Sequence, residues 1–367
     1  MKQWKQMISG VVFLAFLTCC TVAFFLLPKA EVSRNEKRVL ATFPKLDFSA
    51  IADGSYGQAL ENYLTDHFPG REFWVGVNAY TELLTGGNGL SGIYAADGRL
   101  IAAPGVWNEN QARTNIGRFR TFTEALGLPA SIMPVPAAGY VMAEKLPANH
   151  QAYWDDAFYA LLEKEAGEMA VIDLRQVLAG SDDFYYRTDH HLTSAGSYEM
   201  YKAYCKVLGL APAEFEKTRE SSGFYGTGYA KSGLWLTAPD TLEIWTAKNP
   251  GTYRVTIGDK VYDSLYFNDH LTELDQYPVF LDGNHGLVTV ANENCSNGRR
   301  LLLIKDSYAH CFATFAIENY EEIIMVDLRY YREDVKTLAE EYGCTELLYL
   351  YGVENLATST DTFWLNR

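Results

Sequence analysis

Hydrophobic residues recur every three to four positions along several stretches of the chain, which predicts amphipathic helices. These stretches are residues 56–84, broken at Pro69 and Gly70, then 108–126, 154–166 and 332–342. A further helix is predicted to begin after Thr193, a favourable N-terminal cap, and to end near Gly209. Short apolar runs bounded by turn residues predict buried strands. They lie at residues 131–136, 169–174, 301–304, 322–327 and 346–350.

Strands and helices alternate along most of the chain, and this alternation predicts an α/β fold with a mostly parallel sheet covered on both faces. Asp97 and Gly98 predict the turn of a hairpin within residues 93–101. The glycine-rich stretch 223–233 is predicted to be a loop. Sites in open parallel sheets form at the carboxyl ends of the strands, so the residues that follow predicted strands are the first candidates for function.

The N-terminal region contains an uncharged run of 21 residues, 7–27. This run is as long as the roughly 20 residues that cross a bilayer as a helix, and it exceeds the apolar part of a typical cleaved signal. Lys2 and Lys5 precede it and favour an N-terminus that stays inside. A transmembrane signal anchor is therefore predicted, with a cleaved signal peptide and a lipoprotein signal as open alternatives.

The predicted anchor sets the expected domain organisation. Residues 1–6 form a cytoplasmic stub, 7–27 the anchor, 28–50 a linker and 51–367 the extracytoplasmic domain. The expected location is the cell membrane, with a single pass and the bulk of the chain outside. Each of the three alternatives for the N-terminus places the residues beyond 30 outside the cytoplasm.

Composition narrows the classes of function only slightly. A formal net charge of −15 argues against nucleic-acid binding, which requires a basic surface. The 25 tyrosines are consistent with a large core or with surfaces that stack on sugars. Of the six cysteines, Cys19 and Cys20 lie in the anchor. The other four have no metal-type spacing and are expected to be buried, with a disulfide left open.

Ser307 stands at the junction between the predicted strand 301–304 and a helix-like stretch. A serine hydroxyl becomes a nucleophile when a base accepts its proton and donors hold the resulting oxyanion. The start of a helix offers unpaired N–H groups, so the backbone of Ser307 is a candidate oxyanion donor. The alternative is that Ser307 simply caps the helix.

Asp189, His190 and His191 form a second candidate element. Residues two apart in an extended backbone point to the same side, so Asp189 is expected to orient His191 through Nδ1. Nε2 of His191 would then face the serine, and His190 would turn away. Two alternatives remain open: a metal site, for which no third ligand stands at a suitable interval, and a cap for the helix after Thr193.

These segments together resemble the DHHW protein family, which is related to the alginate O-acetyltransferase proteins of the SGNH-hydrolase superfamily. The resemblance runs from about Asn35 to the C-terminus and rests on these motifs: Asn35-Glu-Lys-Arg-Val-Leu40 with Pro44, Tyr63-Leu-Thr-Asp-His-Phe-Pro-Gly-Arg71, Thr188-Asp-His-His191 with Thr193 and Gly196, Gly283-Asn284, Lys305-Asp-Ser-Tyr-Ala309 and Val326-Asp-Leu-Arg-Tyr-Tyr331. It implies an SGNH-hydrolase-like three-layer sandwich in which the Asp-x-His precedes the serine, a circularly permuted order. The tryptophan that gives the family its name is Leu192 here.

The resemblance also implies a chemistry. Ser307 would accept an acetyl group, His191 would act as base and then acid, Asp189 would orient His191, and a polysaccharide hydroxyl would receive the acetyl. A membrane-bound O-acyltransferase would supply the acetyl outside the cell, and no cofactor or metal is expected. An esterase with the same three residues and a non-catalytic polysaccharide-binding or assembly protein remain alternatives.

Five further residues are candidates around this trio. The amide of Asn284, next to Gly283, is a candidate oxyanion donor, although Asp-Gly-Asn is also an ordinary turn. Tyr308 is expected either to stack on a sugar or to pack. His190 and Asp306 are expected to support the site, Asp306 by fixing the loop around the serine.

Overall fold

The computed structural model describes residues 2–366. The chain divides into two compact units. The first unit extends to Leu90 and includes a later segment, Tyr229–Leu236. The second unit comprises Ser91–Gly228 and the chain from Thr237 onward. The expected single domain 51–367 therefore does not coincide with either unit, because residues 51–90 belong to the first.

The first unit is mainly helical. Its elements are α1 (Lys2–Leu26), β1 (Val32–Ser33), β2 (Arg38–Val39), α2 (Phe48–Ala52), α3 (Ser55–Asp66), α4 (Arg71–Leu84) and β3 (Gly89–Leu90). Within α1, the 20 residues Met7–Leu26 are long and apolar enough to cross a membrane. A cleaved signal sequence has the same properties, so the structure is consistent with an anchor or a signal.

The stretch 28–50, expected to be a linker, contains folded elements. Strands β1 and β2 pair in antiparallel fashion, Val32 opposite Val39. The guanidinium of Arg38 binds the carboxylates of Asp66 and Glu36. The Arg38–Asp66 pair joins residues 28 positions apart in sequence, which is why the local pattern gave no sign of it.

The second unit contains most of the regular structure. Its strands are β4 (Ile93–Ala96), β5 (Arg99–Ala102), β6 (Ala130–Val135), β7 (Ala170–Val171), β8 (Phe215–Phe224), β9 (Asp240–Ala247), β10 (Tyr253–Ile257), β11 (Lys260–Tyr262), β12 (Leu287–Asn292), β13 (Arg300–Lys305), β14 (Glu322–Val326) and β15 (Glu346–Gly352). Its helices are α5 (Glu109–Leu126), α6 (Ala138–Val141), α7 (Asp155–Glu165), α8 (Arg175–Leu178), α9 (Ser194–Leu208), α11 (Ala309–Ala316), α12 (Val335–Glu341) and α13 (Val353–Thr358). Helix α10 (Thr227–Ser232) begins in this unit and ends in the first.

A central sheet of eight strands organises the second unit, in the order β11-β10-β12-β14-β13-β15-β6-β7. The five strands from β14 to β7 run parallel, whereas β12, β10 and β11 pair in antiparallel fashion at one edge. The expectation of an α/β fold with a mostly parallel sheet is confirmed. Strand β13, which leads to Ser307, lies in the interior of the sheet.

Both faces of the sheet are covered, which explains why its strands are apolar at nearly every position. Leu301 and Leu303 belong to a core that includes Tyr201 of α9 and Phe312 of α11. Leu302 and Ile304 belong to a second core that includes Phe119, Phe158 and Leu338 of α5, α7 and α12. Successive side chains of a strand point to opposite faces, so these two cores lie on opposite sides of the sheet.

Most predicted elements are present, with corrections at their ends. Asn108 and Thr193 accept capping hydrogen bonds from Gln111 N and Gly196 N, and Gly209 ends α9 with a positive φ. The stretch 223–233 is not only a loop, since it contains the end of β8 and the helix α10. All six cysteines are free thiols, so the open disulfide alternative is not realised.

Candidate active site

Ser307 lies in the turn between the end of β13 and the start of α11. Asp306 braces this turn from inside the protein: its carboxylate accepts hydrogen bonds from Tyr308 N at 3.0 Å, Gly352 N at 2.9 Å and Asn355 Nδ2 at 2.8 Å. Burial raises the pKa of Asp306. Asp306 thus links the turn to the backbone of Gly352 and the side chain of Asn355.

The structure brings Ser307, His191 and Asp189 into one hydrogen-bonded line. His191 Nε2 lies 2.7 Å from Ser307 Oγ, and His191 Nδ1 bonds to Asp189 Oδ1. His191 and Asp189 are buried. Because Nδ1–H donates to the carboxylate, Nε2 is left to accept the proton of the serine hydroxyl. Helix α11 begins only at Ala309, and its N-terminal cap position is Tyr308, so Ser307 does not cap it.

Thr227 and Gly226 hold Asp189 in place. Asp189 Oδ2 accepts hydrogen bonds from Thr227 N at 2.6 Å and Thr227 Oγ1 at 3.0 Å. A Cβ on Gly226 would stand 2.0 Å from the Cβ of Asp189, so no larger residue fits there. Burial alone would raise the pKa of Asp189. The charges of His191 and His190, together with the hydrogen bonds, outweigh burial and hold this pKa well below its usual range.

Aromatic rings fix the plane of the His191 imidazole. Tyr277 stacks on it with ring centroids 3.8 Å apart and an interplanar angle of 11°, and the Tyr277 hydroxyl donates to Ser307 O at 3.3 Å. The ring of His190 lies 3.9 Å away, tilted by 37°. Tyr308 is buried, and its hydroxyl donates to His190 O at 2.9 Å. Tyr308 is thus packed against His190 in this structure.

A metal site is one of the alternative interpretations of the Asp-His-His segment. Ligand atoms of Asp189, His190 and His191 lie within 4.8 Å of one another, the one such group among residues 2–366. However, both ring nitrogens of His191 have protein partners, and His190 Nδ1 lies 2.8 Å from Thr227 Oγ1. A metal ion would have to displace Ser307 or Asp189 from His191, so the hydrogen-bonded arrangement is the one that these residues form.

The candidate oxyanion donors differ in position. No acceptor for Ser307 N–H lies among the described residues, so this donor is available to a reacting oxygen. Asn284 is exposed, and its Oδ1 accepts a hydrogen bond from Arg329 Nη2 at 3.0 Å. Gly283 has a φ of 75°, and a Cβ there would stand 3.2 Å from Pro278. Within the described part of the chain, no hydrogen bond joins Asn284 or Gly283 to Ser307.

A buried charged cluster, which sequence reasoning missed, braces both ends of the Ser307 turn. Lys305 Nζ donates to His310 Nε2 at 2.8 Å and pairs with Asp327 Oδ2 at 3.2 Å. Arg329 donates to Asp327 through Nε at 2.9 Å and Nη2 at 2.6 Å. Burial lowers the pKa of Lys305 and, together with the Lys305 charge, that of His310. Burial opposes ionisation of Asp327, but Arg329 and Lys305 outweigh it and lower its pKa.

Sequence signals existed for some of the missed residues. Lys305 is the last residue of β13, directly after four apolar positions, and a lysine buried there requires a partner. The glycines around Thr227 indicate a close approach of backbone to backbone. No local pattern singles out Tyr277, because its contact with His191 depends on the fold of the whole unit.

Comparison with known proteins extends these observations. Residues 150–326, which contain Asp189, His191 and Ser307, match the family described as DHHW protein. This region belongs to the DHHW family. Leu192, which replaces the family's tryptophan, is buried and bridges through its backbone to Tyr185. Among curated proteins, no significant match is found.

Solved structures share the fold of this chain. A DHHW family protein from Eubacterium siraeum is 22% identical with a TM-score of 0.64, covering 75% of this chain and 96% of that one. Bacillus cereus PatB1 is 19% identical with a TM-score of 0.64, covering 73% and 98%. PatB1 with a sulfonyl adduct scores similarly, at 18% identity and a TM-score of 0.63. The O-acetyltransferase domain of Pseudomonas putida AlgJ is 14% identical with a TM-score of 0.48, covering 73% and 93%. At these identities, the likeness to the DHHW protein and PatB1 establishes the fold.

Proposed function

We propose that this protein is a membrane-anchored, extracytoplasmic O-acetyltransferase that modifies a polysaccharide through an acyl-serine intermediate. The observation that carries the proposal is the hydrogen-bonded line from Ser307 through His191 to Asp189. The resemblance to a family related to alginate O-acetyltransferases supports the choice of acetyl and polysaccharide. The apolar helix α1 supports a site of action outside the cytoplasm.

The first half of the reaction forms the acyl-serine. Ser307 Oγ attacks the carbonyl carbon of an acetyl ester while His191 Nε2 takes the hydroxyl proton. Negative charge develops on the carbonyl oxygen, and the free N–H of Ser307 is placed to donate to it. Asn284 is the proposed second donor, through the Nδ2 that remains when Oδ1 accepts from Arg329. His191 then returns the proton to the departing alkoxide, and the acetyl stays on Ser307.

The second half transfers the acetyl to a sugar. His191 Nε2 takes the proton of a sugar hydroxyl, whose oxygen attacks the acetyl carbonyl, and the proton then returns to Ser307 Oγ. Asp189 stabilises the imidazolium in both halves because its carboxylate stays ionised. Water in place of the sugar would make the protein an esterase with the same intermediate.

Three finer expectations belong to this proposal. The fold is an SGNH-hydrolase-like three-layer sandwich, supported by the two cores on opposite sides of the sheet. The motif order is circularly permuted, supported by Asp189 and His191 preceding Ser307. A membrane-bound O-acyltransferase supplies the acetyl group, because acetyl-CoA is absent outside the cell.

The test is turnover of an activated acetyl ester by the full-length protein in detergent, with and without an oligosaccharide acceptor. We expect Ser307→Ala to abolish turnover, and Ser222→Ala, at an exposed serine of β8, to leave it unchanged. Acetylated oligosaccharide supports the transferase, and free acetate alone supports the esterase. Equal turnover by the wild type and Ser307→Ala would leave only the non-catalytic alternative.

A further inference from the structure

The first unit exposes large apolar side chains at a density that the second unit does not approach. Among the described residues, twelve large hydrophobic side chains are exposed between positions 28 and 90, whereas the second unit exposes five. Exposed apolar surface of this extent marks an interaction site in a folded protein. We call its central part the apolar collar, which consists of Phe43, Leu46, Phe48, Ile51, Phe73 and Trp74. Their exposed fractions run from 41% at Trp74 to 81% at Phe48.

Ring contacts connect the collar to the apolar helix α1. The ring of Phe43 lies 5.3 Å from that of Tyr63, and Tyr63 lies 6.1 Å from Phe24 near the end of α1. Trp74 lies 5.8 Å from Phe16, near the middle of the apolar run, so it is the collar residue that would lie deepest in a bilayer. Helix α1 is the segment able to cross a bilayer, and its side chains face outward along most of its length. The collar is therefore continuous with the surface that contacts lipid.

Polar contacts within the unit fix the collar in this position. Arg38 on β2 binds Asp66 at the end of α3, and Glu36 binds both Arg38 and Arg71 at the start of α4. Asp66 Oδ2 also accepts a hydrogen bond from Ala41 N at 2.8 Å. The chain that leaves α1 is thus held against α3 and α4. The collar begins just beyond this point, at Phe43.

The charges between α1 and the collar suit an anionic surface. Four basic residues and two acidic ones, Glu31 and Glu36, occupy positions 29–42; the basic residues are Lys29, Arg34, Lys37 and Arg38, of which Arg38 is paired with Glu36 and Asp66. Basic residues beside a membrane helix are attracted to anionic headgroups. Aromatic residues such as Phe43 and Phe48 suit the boundary between headgroups and acyl chains.

We propose that the apolar collar docks on the bilayer, with Phe43 and Phe48 at the headgroup boundary and Trp74 deeper, beside α1. The occupant of the collar is the lipid of the leaflet from which α1 emerges. The collar is continuous with α1, and its docking is independent of any chemistry at Ser307.

The test is photo-crosslinking of the full-length protein in proteoliposomes of phosphatidylethanolamine and phosphatidylglycerol. Benzoylphenylalanine replaces Phe48 in one variant, Phe43 in a second, and Phe363, an exposed ring of the second unit, in a control. We expect adducts with the mass of one phospholipid at Phe48 and Phe43, several-fold above the control. Two probe positions keep the test decisive if one variant does not fold, which thermal unfolding in detergent reveals.

Two results would overturn the proposal. One is lipid labelling at Phe48 and Phe43 that does not exceed labelling at Phe363. The other is a crosslinked second copy of the chain as the main product, which would make the collar a self-association surface.

Discussion

The two units differ in what they bury. The first exposes many large apolar side chains, whereas the second buries nearly all of its large apolar side chains and several charged ones. Helices α2 and α3 of the first unit have no buried residue among those described, and α4 buries only Gly76 and Ala79. In the second unit, α11 buries all eight of its residues. Asp189 and Lys305 are buried there too, each with partners.

This difference in burial agrees with the function proposed for each unit. Acyl transfer needs donors and a base fixed in a site from which water is largely excluded, because charges interact most strongly there. A membrane-facing unit needs the reverse, an apolar surface left open to lipid. The contrast predicts that substitutions in the second unit act on catalysis and stability, whereas substitutions in the collar act on neither.

The largest expected effect is at His191. In His191→Ala the serine loses its base, so we expect kcat/KM for an activated acetyl ester to fall by roughly 10⁴-fold, the order seen when a member of such a triad is removed. His150→Ala, in a histidine that hydrogen-bonds to Pro147 O, serves as the control and should stay within about twofold. A loss under about tenfold for His191→Ala would contradict the role of His191 as base.

The next effect concerns stability in the second unit. Asp327→Asn leaves the buried charge of Lys305 without its carboxylate, and removing one partner of a buried pair costs about 3–5 kcal/mol. We expect this loss in the free energy of unfolding measured with urea. Adding Lys305→Met to the same chain should recover part of it. Equal stability of Asp327→Asn and wild type would show that the pair is not buried as described.

A smaller effect depends on pH. Asp155 opens α7, its Oδ1 accepts a hydrogen bond from Ala137 N at 2.8 Å, and burial raises its pKa to about 6. The folded pKa exceeds the unfolded one, so the stability that this group contributes is present at low pH and is lost as pH rises through about 6. We expect the free energy of unfolding of Asp155→Asn, measured relative to wild type, to be about 1 kcal/mol higher at pH 8 than at pH 5. A gain that is the same at both pH values would contradict the raised pKa.

The smallest effect is expected in the collar. Phe48→Ser removes an exposed ring, so the free energy of unfolding in detergent should change by no more than about 0.5 kcal/mol. Turnover of a small acetyl ester should stay within about twofold. A large loss in either measurement would mean that Phe48 packs against protein, and the contrast between the two units would fail.

The sequence was sufficient for the parts of the fold that depend on local pattern. Residue periodicity located α5, α9 and β13, and the junction after β13 singled out Ser307. Asp189 and His191 followed from their spacing, although the structure joins them to a residue 116 positions away.

Other parts depended on long-range contacts that no local pattern encodes. Residues 28–50 were expected to be a linker because their local sequence does not reveal that Arg38 and Glu36 have partners on α3 and α4. Thr227 and Tyr277 were not predicted to belong to the site, because they contact Asp189 and His191 only in the folded chain. The sequence likewise leaves open whether Tyr308 packs or faces a ligand, because its hydroxyl donates to His190 O, 118 positions away.

The proposed function depends most on Ser307 being a nucleophile activated by His191. The most direct measurement is the intact mass of the full-length protein after treatment with a sulfonyl fluoride, followed by peptide mapping. We predict one sulfonyl group per chain, on the peptide that contains Ser307, in wild type but not in Ser307→Ala, and formed much more slowly in His191→Ala. No adduct at Ser307 in the folded wild-type protein, or equal labelling of wild type and His191→Ala, would contradict the central claim.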